Sequence, residues 1–158
     1  MAGKLLSIYI APTAGQPIIS VSSAELVAGK GIVGDRYFVG AGEFSPEVQD
    51  PDHEVTLFEV EKLHAFNEKE QAEASPPQPL TARDMRRNLL TEGVDLNALV
   101  DREFCVGDVM LRGIRLCEPC GYLRGLTRDS VLAGFAHRGG LRAGIVRGGT
   151  IDLGCDIS

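Results

Sequence analysis

Cys117-Glu118-Pro119-Cys120 places two thiols three positions apart, and this is where the sequence concentrates its reactive chemistry. A C-x-x-C pair has three common uses. A zinc site needs four ligands, usually from two such pairs, but Cys105 and Cys155 form no second pair and the three histidines are scattered. A redox pair of the thioredoxin kind follows a strand and opens a helix within a βαβ unit, a setting this sequence does not suggest. The third use is one functional thiolate beside a structural cysteine. Spacing alone leaves inert packing of both thiols equally open.

Arginines set among glycines form the second signal. Arg86-Arg87-Asn88 opens an apolar run, where planar guanidinium forks and an amide can grip phosphate or carboxylate oxygens. The ordinary alternative is a basic turn paired with Asp84 or Glu92. Gly31-Ile32-Val33-Gly34-Asp35-Arg36 allows close backbone approach to an anion, or makes a plain turn with an Asp–Arg pair. It has neither the Gly-Lys-Ser/Thr of a phosphate loop nor the glycine order of a dinucleotide fingerprint. His137-Arg138-Gly139-Gly140-Leu141-Arg142-Ala143-Gly144 is a cationic segment fit to cover an anionic ligand, or simply to be solvated. His137 reads as a surface or supporting residue, and His53 and His64 are assigned no role. Arg36, Arg86, Arg87, Arg138 and Arg142 thus share a chain with the thiol of Cys120. Arginines gathered around a cysteine favour its thiolate and attract anions.

Short strands must position these residues. Nineteen glycines and eight prolines break the chain often. Lys4–Ile10, Pro17–Val21 with Ala24–Val27 after it, and His53–Leu57 read as β structure, as do 87–93, 103–111, 114–116, 141–146 and 149–151. Helical patterns are few: Phe58, Leu63 and Phe66 share a face, Thr81 caps a turn over 81–85, 96–99 forms another, and 127–135 makes a short helix. Residues 40–51 and 68–78 read as loops, the first of them mobile. The expected fold class is mainly β, a barrel or sandwich with a few short helices. Residues 1–158 are expected to form a single domain, because neither side of the 68–78 segment carries a core alone.

Composition limits the partners. The chain has 158 residues, 44% hydrophobic and 24% charged, which is ordinary for a globular domain. A net charge of −6 argues against a nucleic-acid or polybasic membrane surface while leaving room for a local basic pocket. No run is long enough for a membrane span, and the N-terminal apolar run is too short for a secretory signal, so a cytoplasmic location and reduced thiols are expected.

Taken in order, these segments resemble the MOSC family, named for the C-terminal domain of molybdenum cofactor sulfurase. The likeness rests on Gly34-Asp35-Arg36, on residues 86–96 from Arg86-Arg87-Asn88 to Leu96, and on Phe104-x-Val106-Gly107-Asp108. It continues through Cys117-Glu118-Pro119-Cys120 and Arg138-Gly139-Gly140-Leu141-Arg142-Ala143-Gly144-Ile145 to a closing Gly149-x-Ile151-x-x-Gly154. The resemblance implies a β-barrel-like fold and makes Cys120 the family cysteine. In family members that reduce N-hydroxylated compounds this thiolate ligates molybdenum, and residues matching Arg86 and Asn88 contact the molybdenum cofactor (molybdopterin). Arg36, Arg87, Arg138 and Arg142 are expected to help bind it. A soft thiolate suits a metal already held by sulfur, and arginines suit the pterin phosphate. In the sulfurase the domain is thought to carry sulfur as a cysteine persulfide, next to a pyridoxal-phosphate domain. That domain, the N-terminal barrel of longer reductases and an iron–sulfur domain have no counterpart in residues 1–158. A separate electron-donor protein, or a cysteine desulfurase for the sulfur-carrier alternative, is therefore the expected partner.

Overall fold

Alternation of apolar and polar residues decides which strand face looks inward, and it does so clearly here. In a computed structural model, which describes residues 3–13, 16–38 and 53–158, eleven strands and three short helices are assigned. The strands are β1 (Gly3–Ile10), β2 (Ile19–Val21), β3 (Ser23–Val27), β4 (Gly31–Ile32), β5 (Val55–Glu59) and β6 (Leu89–Glu92). They continue with β7 (Glu103–Val106), β8 (Val109–Leu116), β9 (Leu141–Arg147), β10 (Gly149–Asp152) and β11 (Asp156–Ile157). The helices are α1 (Val60–Gln71), α2 (Gly121–Leu126) and α3 (Val131–Gly134).

Seven strands close a barrel in the order β1-β6-β5-β9-β8-β7-β11, with β11 pairing back onto β1 at Gly3↔Ile157. β5 and β6 run parallel, joined by a connection that carries α1; the other ring pairings are antiparallel. β2 extends the sheet beyond β1, while β10, β3 and β4 form a second small sheet. Leu26, Ile32 and Ile151 of that small sheet join the barrel core of Leu5, Ile8, Val55, Leu57, Leu89, Leu111, Leu141 and Ala143.

Because successive side chains alternate, inward Val55 and Leu57 send Thr56 and Phe58 to the outer face, and inward Leu141 and Ala143 send Arg142 there. One part of that outer face is apolar and carries the helices. Phe58, Leu90, Leu63, Phe66, Met85, Leu123, Val131 and Phe135 bury together, with Phe66 stacked on Phe135 at 4.5 Å and Phe58 edge-on to it at 5.7 Å. The other part is polar and becomes the wall of the site.

The mainly β barrel agrees with the expected fold class. Four local expectations are corrected. Phe58 is the fourth residue of β5, a strand buried at all five positions, and the helix starts after it. Residues 68–71 belong to α1, where Glu70 receives Arg128 at 2.7 Å and Ser130 at 2.7 Å. β8 runs through Gly113 as a single strand with a register shift, not as two strands. The helix expected over 127–135 shrinks to α3, and a helix that was not expected, α2, starts directly after Cys120. Thr81 precedes a 3-10 turn over Ala82–Met85, donating its N–H to Asp84 at 2.7 Å. The loop expected over 40–51 lies outside the described residues. Among the described residues no helix is long and apolar enough to cross a membrane.

Candidate functional site: a thiol in an arginine-lined pocket

The polar row on the outer barrel face follows from strand register. Thr56 of β5 faces Arg142 of β9, and Arg142 faces Arg115 of β8. Asn88 lies beside Thr56 on the other side: its Oδ1 accepts from the Thr56 N–H at 3.0 Å and the Thr56 hydroxyl at 3.1 Å. Its amide nitrogen donates to Tyr9 O at 3.1 Å. Thr56, Arg142 and Arg115 line a cavity of about 600 Å³, together with Arg36, Tyr37, His53, Arg86, Arg87, Tyr122 and the Cys117–Cys120 loop.

Each further wall is fixed by a local device. Asp35 is fully buried; its carboxylate accepts from the N–H of Ala11 at 3.0 Å and of Tyr37 at 3.3 Å and faces Arg36 Nη1 at 3.4 Å. Arg36 also lies over the Tyr37 ring at 4.8 Å, which presents a delocalised cation at only 6% exposure. Arg86 takes a left-handed backbone, φ +56°, costly for a residue with a Cβ, and gives Nη1 to Gln16 O at 2.7 Å. Its Nε and Nη2 are buried with no hydrogen-bond partner among the described residues. Burial, and then the neighbouring Arg36 charge, hold its pKa below the usual value.

Arg87 faces the same cavity but is engaged by the protein. It donates Nε to Gly139 O at 2.8 Å, Nη1 to Met85 O at 3.0 Å and Nη2 to Cys117 O at 3.3 Å. The Cys117 N–H donates to Gly140 O at 2.7 Å. Glu118 accepts from the His137 N–H at 2.7 Å and faces His137 Nδ1 at 3.0 Å. These contacts pin the cysteine loop to the strand that follows it. Cys117 ends up 2% exposed and Cys120 partly exposed at the start of α2; all four cysteines are free thiols.

Arg87→Ala is expected to lower stability by about 1–3 kcal/mol through unpaired buried carbonyls. It should also speed alkylation of Cys117 in the native protein, followed by peptide mass spectrometry with iodoacetamide. Lysine should not rescue it, because one ammonium cannot replace three donors in a fixed fork. An unchanged Cys117 rate in Arg87→Ala would remove the clamp assignment.

Of the residues picked out in the sequence, the fold brings Arg36, Arg86, Arg87, Arg142 and Cys120 to one cavity. It does not bring Asn88 or Arg138 to the lining: Asn88 is 3% exposed and bound to Thr56 and Tyr9, and Arg138 is solvent-exposed. The carboxylate partners considered for Arg86 and Arg87 are replaced by carbonyl partners, since Asp84 binds Thr81 instead. His53, given no role, lines the cavity with its ring 5.8 Å from that of Tyr37. Arg115, Tyr37 and Tyr122 were not picked out. For Arg115 a signal existed: it stands two residues before Cys117, at the end of a strand facing the Arg142 segment.

The same architecture occurs in proteins of known structure. The YuaD protein of Bacillus subtilis superposes with a TM-score of 0.79 at 17% identity, covering 99% of this chain and 94% of that one. YiiM from Escherichia coli gives 0.70 at 16% identity, with 100% of this chain and 70% of that one covered. YiiM from Geobacillus stearothermophilus gives 0.66 at 14%, covering 98% and 73%. At these identities the likeness is one of fold. A search of curated protein sequences finds no match. The model of the MOSC domain, a family associated with molybdenum cofactor binding, matches residues 25–158, from β3 through the arginine-lined pocket to the closing strand, and the chain belongs to that family.

Proposed function

We propose that the pocket binds molybdenum cofactor with Cys120 as the protein's thiolate ligand, and that the protein reduces N-hydroxylated substrates with electrons from a separate donor protein. One observation carries the proposal: five arginines and the Cys120 thiol line one cavity of about 600 Å³ in a chain of net charge −6. Such concentration of positive charge against the overall sign is what an anionic ligand needs.

The residues fit the group. Arg86 offers two buried donors without partners among the described residues, suited to phosphate oxygens. Arg36, held by Asp35 and Tyr37, adds charge beside it with little conformational freedom to lose. Tyr37 and Tyr122 supply flat walls for a ring system. Among the described residues no three His, Cys, Asp or Glu side chains gather to hold a metal, which fits a metal that would arrive already held by the cofactor, with Cys120 as its protein ligand. When bound, the cofactor supplies two-electron redox chemistry and oxygen-atom exchange. The chain's own contribution is to fix the thiol at the start of α2, to neutralise the ligand's charge, and to line the pocket with two tyrosine rings. The four free thiols suit a reducing compartment, and we place the reaction in the cytoplasm.

The test is metal content. Co-expressed with cofactor biosynthesis, the purified protein is expected to carry molybdenum, with Cys120→Ser at least tenfold lower and Cys155→Ser unchanged. Equal molybdenum in Cys120→Ser and wild type would end the proposal. One added sulfur on the Cys120 peptide after incubation with a cysteine desulfurase, without metal uptake, would replace it by the sulfur-carrier function.

A further inference from the structure

His137 has a left-handed backbone, φ +58°, a region that residues with a Cβ seldom occupy and that persists only where neighbours hold it. Side chains from two other segments do hold it. Its N–H donates to Glu118 Oε1 at 2.7 Å, and its Nδ1 lies 3.0 Å from Glu118 Oε2. Its carbonyl accepts from Nδ2 of Asn97, on the 3-10 turn Leu96–Leu99, at 2.8 Å. Asn97 Oδ1 in turn accepts from Lys62 Nζ of α1 at 2.9 Å. The turn at His137 then brings Gly139 against the cysteine loop: a Cβ on Gly139 would stand 2.3 Å from Cys117 O and 3.3 Å from Pro119.

The cysteine loop therefore has two separate anchors. Arg87 and Gly140 hold Cys117, whereas Glu118 is held by His137. Between Glu118 and Cys120 stands only Pro119, whose ring fixes its own φ and restricts Glu118 to extended backbone. This spacer is stiff, so where Glu118 is held decides where Cys120 enters α2. We infer that Glu118 and His137 form a latch that positions the Cys120 thiol on the cavity wall, with Asn97 holding His137 from behind. His137 is absent from the cavity lining and acts through Glu118, as a positioning residue. The inference deepens the cofactor-pocket proposal and rests on it for the ligand that the thiol meets. With side chains 81% and 44% exposed, the pair adds little to global stability, and its effect is local.

Alkylation of the purified full-length protein with iodoacetamide, read peptide by peptide, tests the latch without any cofactor. His137→Gly accepts the left-handed backbone and removes only the ring, while Glu118→Ala removes both contacts. Each is expected to speed alkylation of Cys120 about fivefold through local opening, with Cys117 unchanged and the urea midpoint near wild type. His137→Asn should restore the wild-type rate, because asparagine tolerates this backbone and its amide nitrogen can take the place of Nδ1. Pro119→Gly keeps the latch but slackens the spacer, and it should speed Cys120 as well. An unchanged Cys120 rate in His137→Gly and Glu118→Ala would overturn the inference. So would equal acceleration of Cys117 and Cys120, or no rescue by His137→Asn. Under co-expression with cofactor biosynthesis, His137→Gly should carry about tenfold less molybdenum and His137→Asn the wild-type amount. Full molybdenum in His137→Gly would also overturn the latch. Absence of molybdenum from wild type would count against the cofactor proposal, and the alkylation pattern would still decide the latch.

Discussion

Asn88→Ala is expected to lower folding stability by about 2–6 kcal/mol, from two buried backbone groups left unpaired at about 1–3 kcal/mol each. The residue joins three strands. Its side chain serves the Thr56 N–H and the Tyr9 carbonyl, and its backbone N–H and C=O bond Thr56 and Tyr9 as well. Truncation leaves the buried Thr56 amide and Tyr9 oxygen without the partner that the Asn88 amide supplies. Asn88→Asp should be little better, since a carboxylate would face the Tyr9 carbonyl with no proton to donate. Urea unfolding should show a lower midpoint with an unchanged slope. A wild-type midpoint for Asn88→Ala would mean that the side chain is dispensable to the fold and available to a ligand. The outcome separates the role that the family resemblance implies for Asn88, cofactor contact, from the one its hydrogen bonds describe, support of the pocket floor.

Gly140→Ala should be at least as damaging, about 3 kcal/mol or more, because two costs fall on one position. Its backbone sits at φ +112°, which side chains with a Cβ rarely adopt, and a Cβ there would overlap the Leu57 carbonyl oxygen. Gly140 also receives the Cys117 N–H, so any shift is passed to the thiol loop. We expect lower thermal stability together with faster alkylation of both Cys117 and Cys120. Gly125→Ala is the contrast. Nothing lies within 4 Å of its Cβ position inside α2, and alanine there should be neutral or stabilising by about 0.5–1 kcal/mol. Equal effects from the two substitutions would refute the close-approach account of Gly140.

Much of this was legible in the residues. The Gly-Asp-Arg turn, the Arg-Arg-Asn segment and the second cysteine of the pair each carry a recognisable local chemistry, and the fold does bring their arginines and thiol together. What could not be read was fixed by distant partners. α2 contains two glycines in six residues and has little intrinsic helicity; burial of Leu123 against Phe135 and its neighbours holds it. Phe58 fits a helical face with Leu63 and Phe66, yet β5 is covered on both sides and claims it for the sheet. Arg115 gains meaning only from its register opposite Arg142. Arg87 and Asn88 have the right types to bind a ligand, but their own backbone surroundings recruit them first.

Closure of the barrel also bears on how the protein is made. Gly3 and Lys4 pair with Ile157 and Asp156, and Lys4 forms an ion pair with Asp156. During synthesis the sheet must therefore stay open, with one edge of β1 exposed, until β11 has left the ribosome. Contacts between such distant positions form late and slowly compared with local helix pairing. The nascent chain thus passes through a stage in which its pocket arginines have all been made while the ring that orders them is still unsealed, and the start of β1, outside the Ile8–Ile10 stretch that β2 covers, is an open edge to which other strands can add.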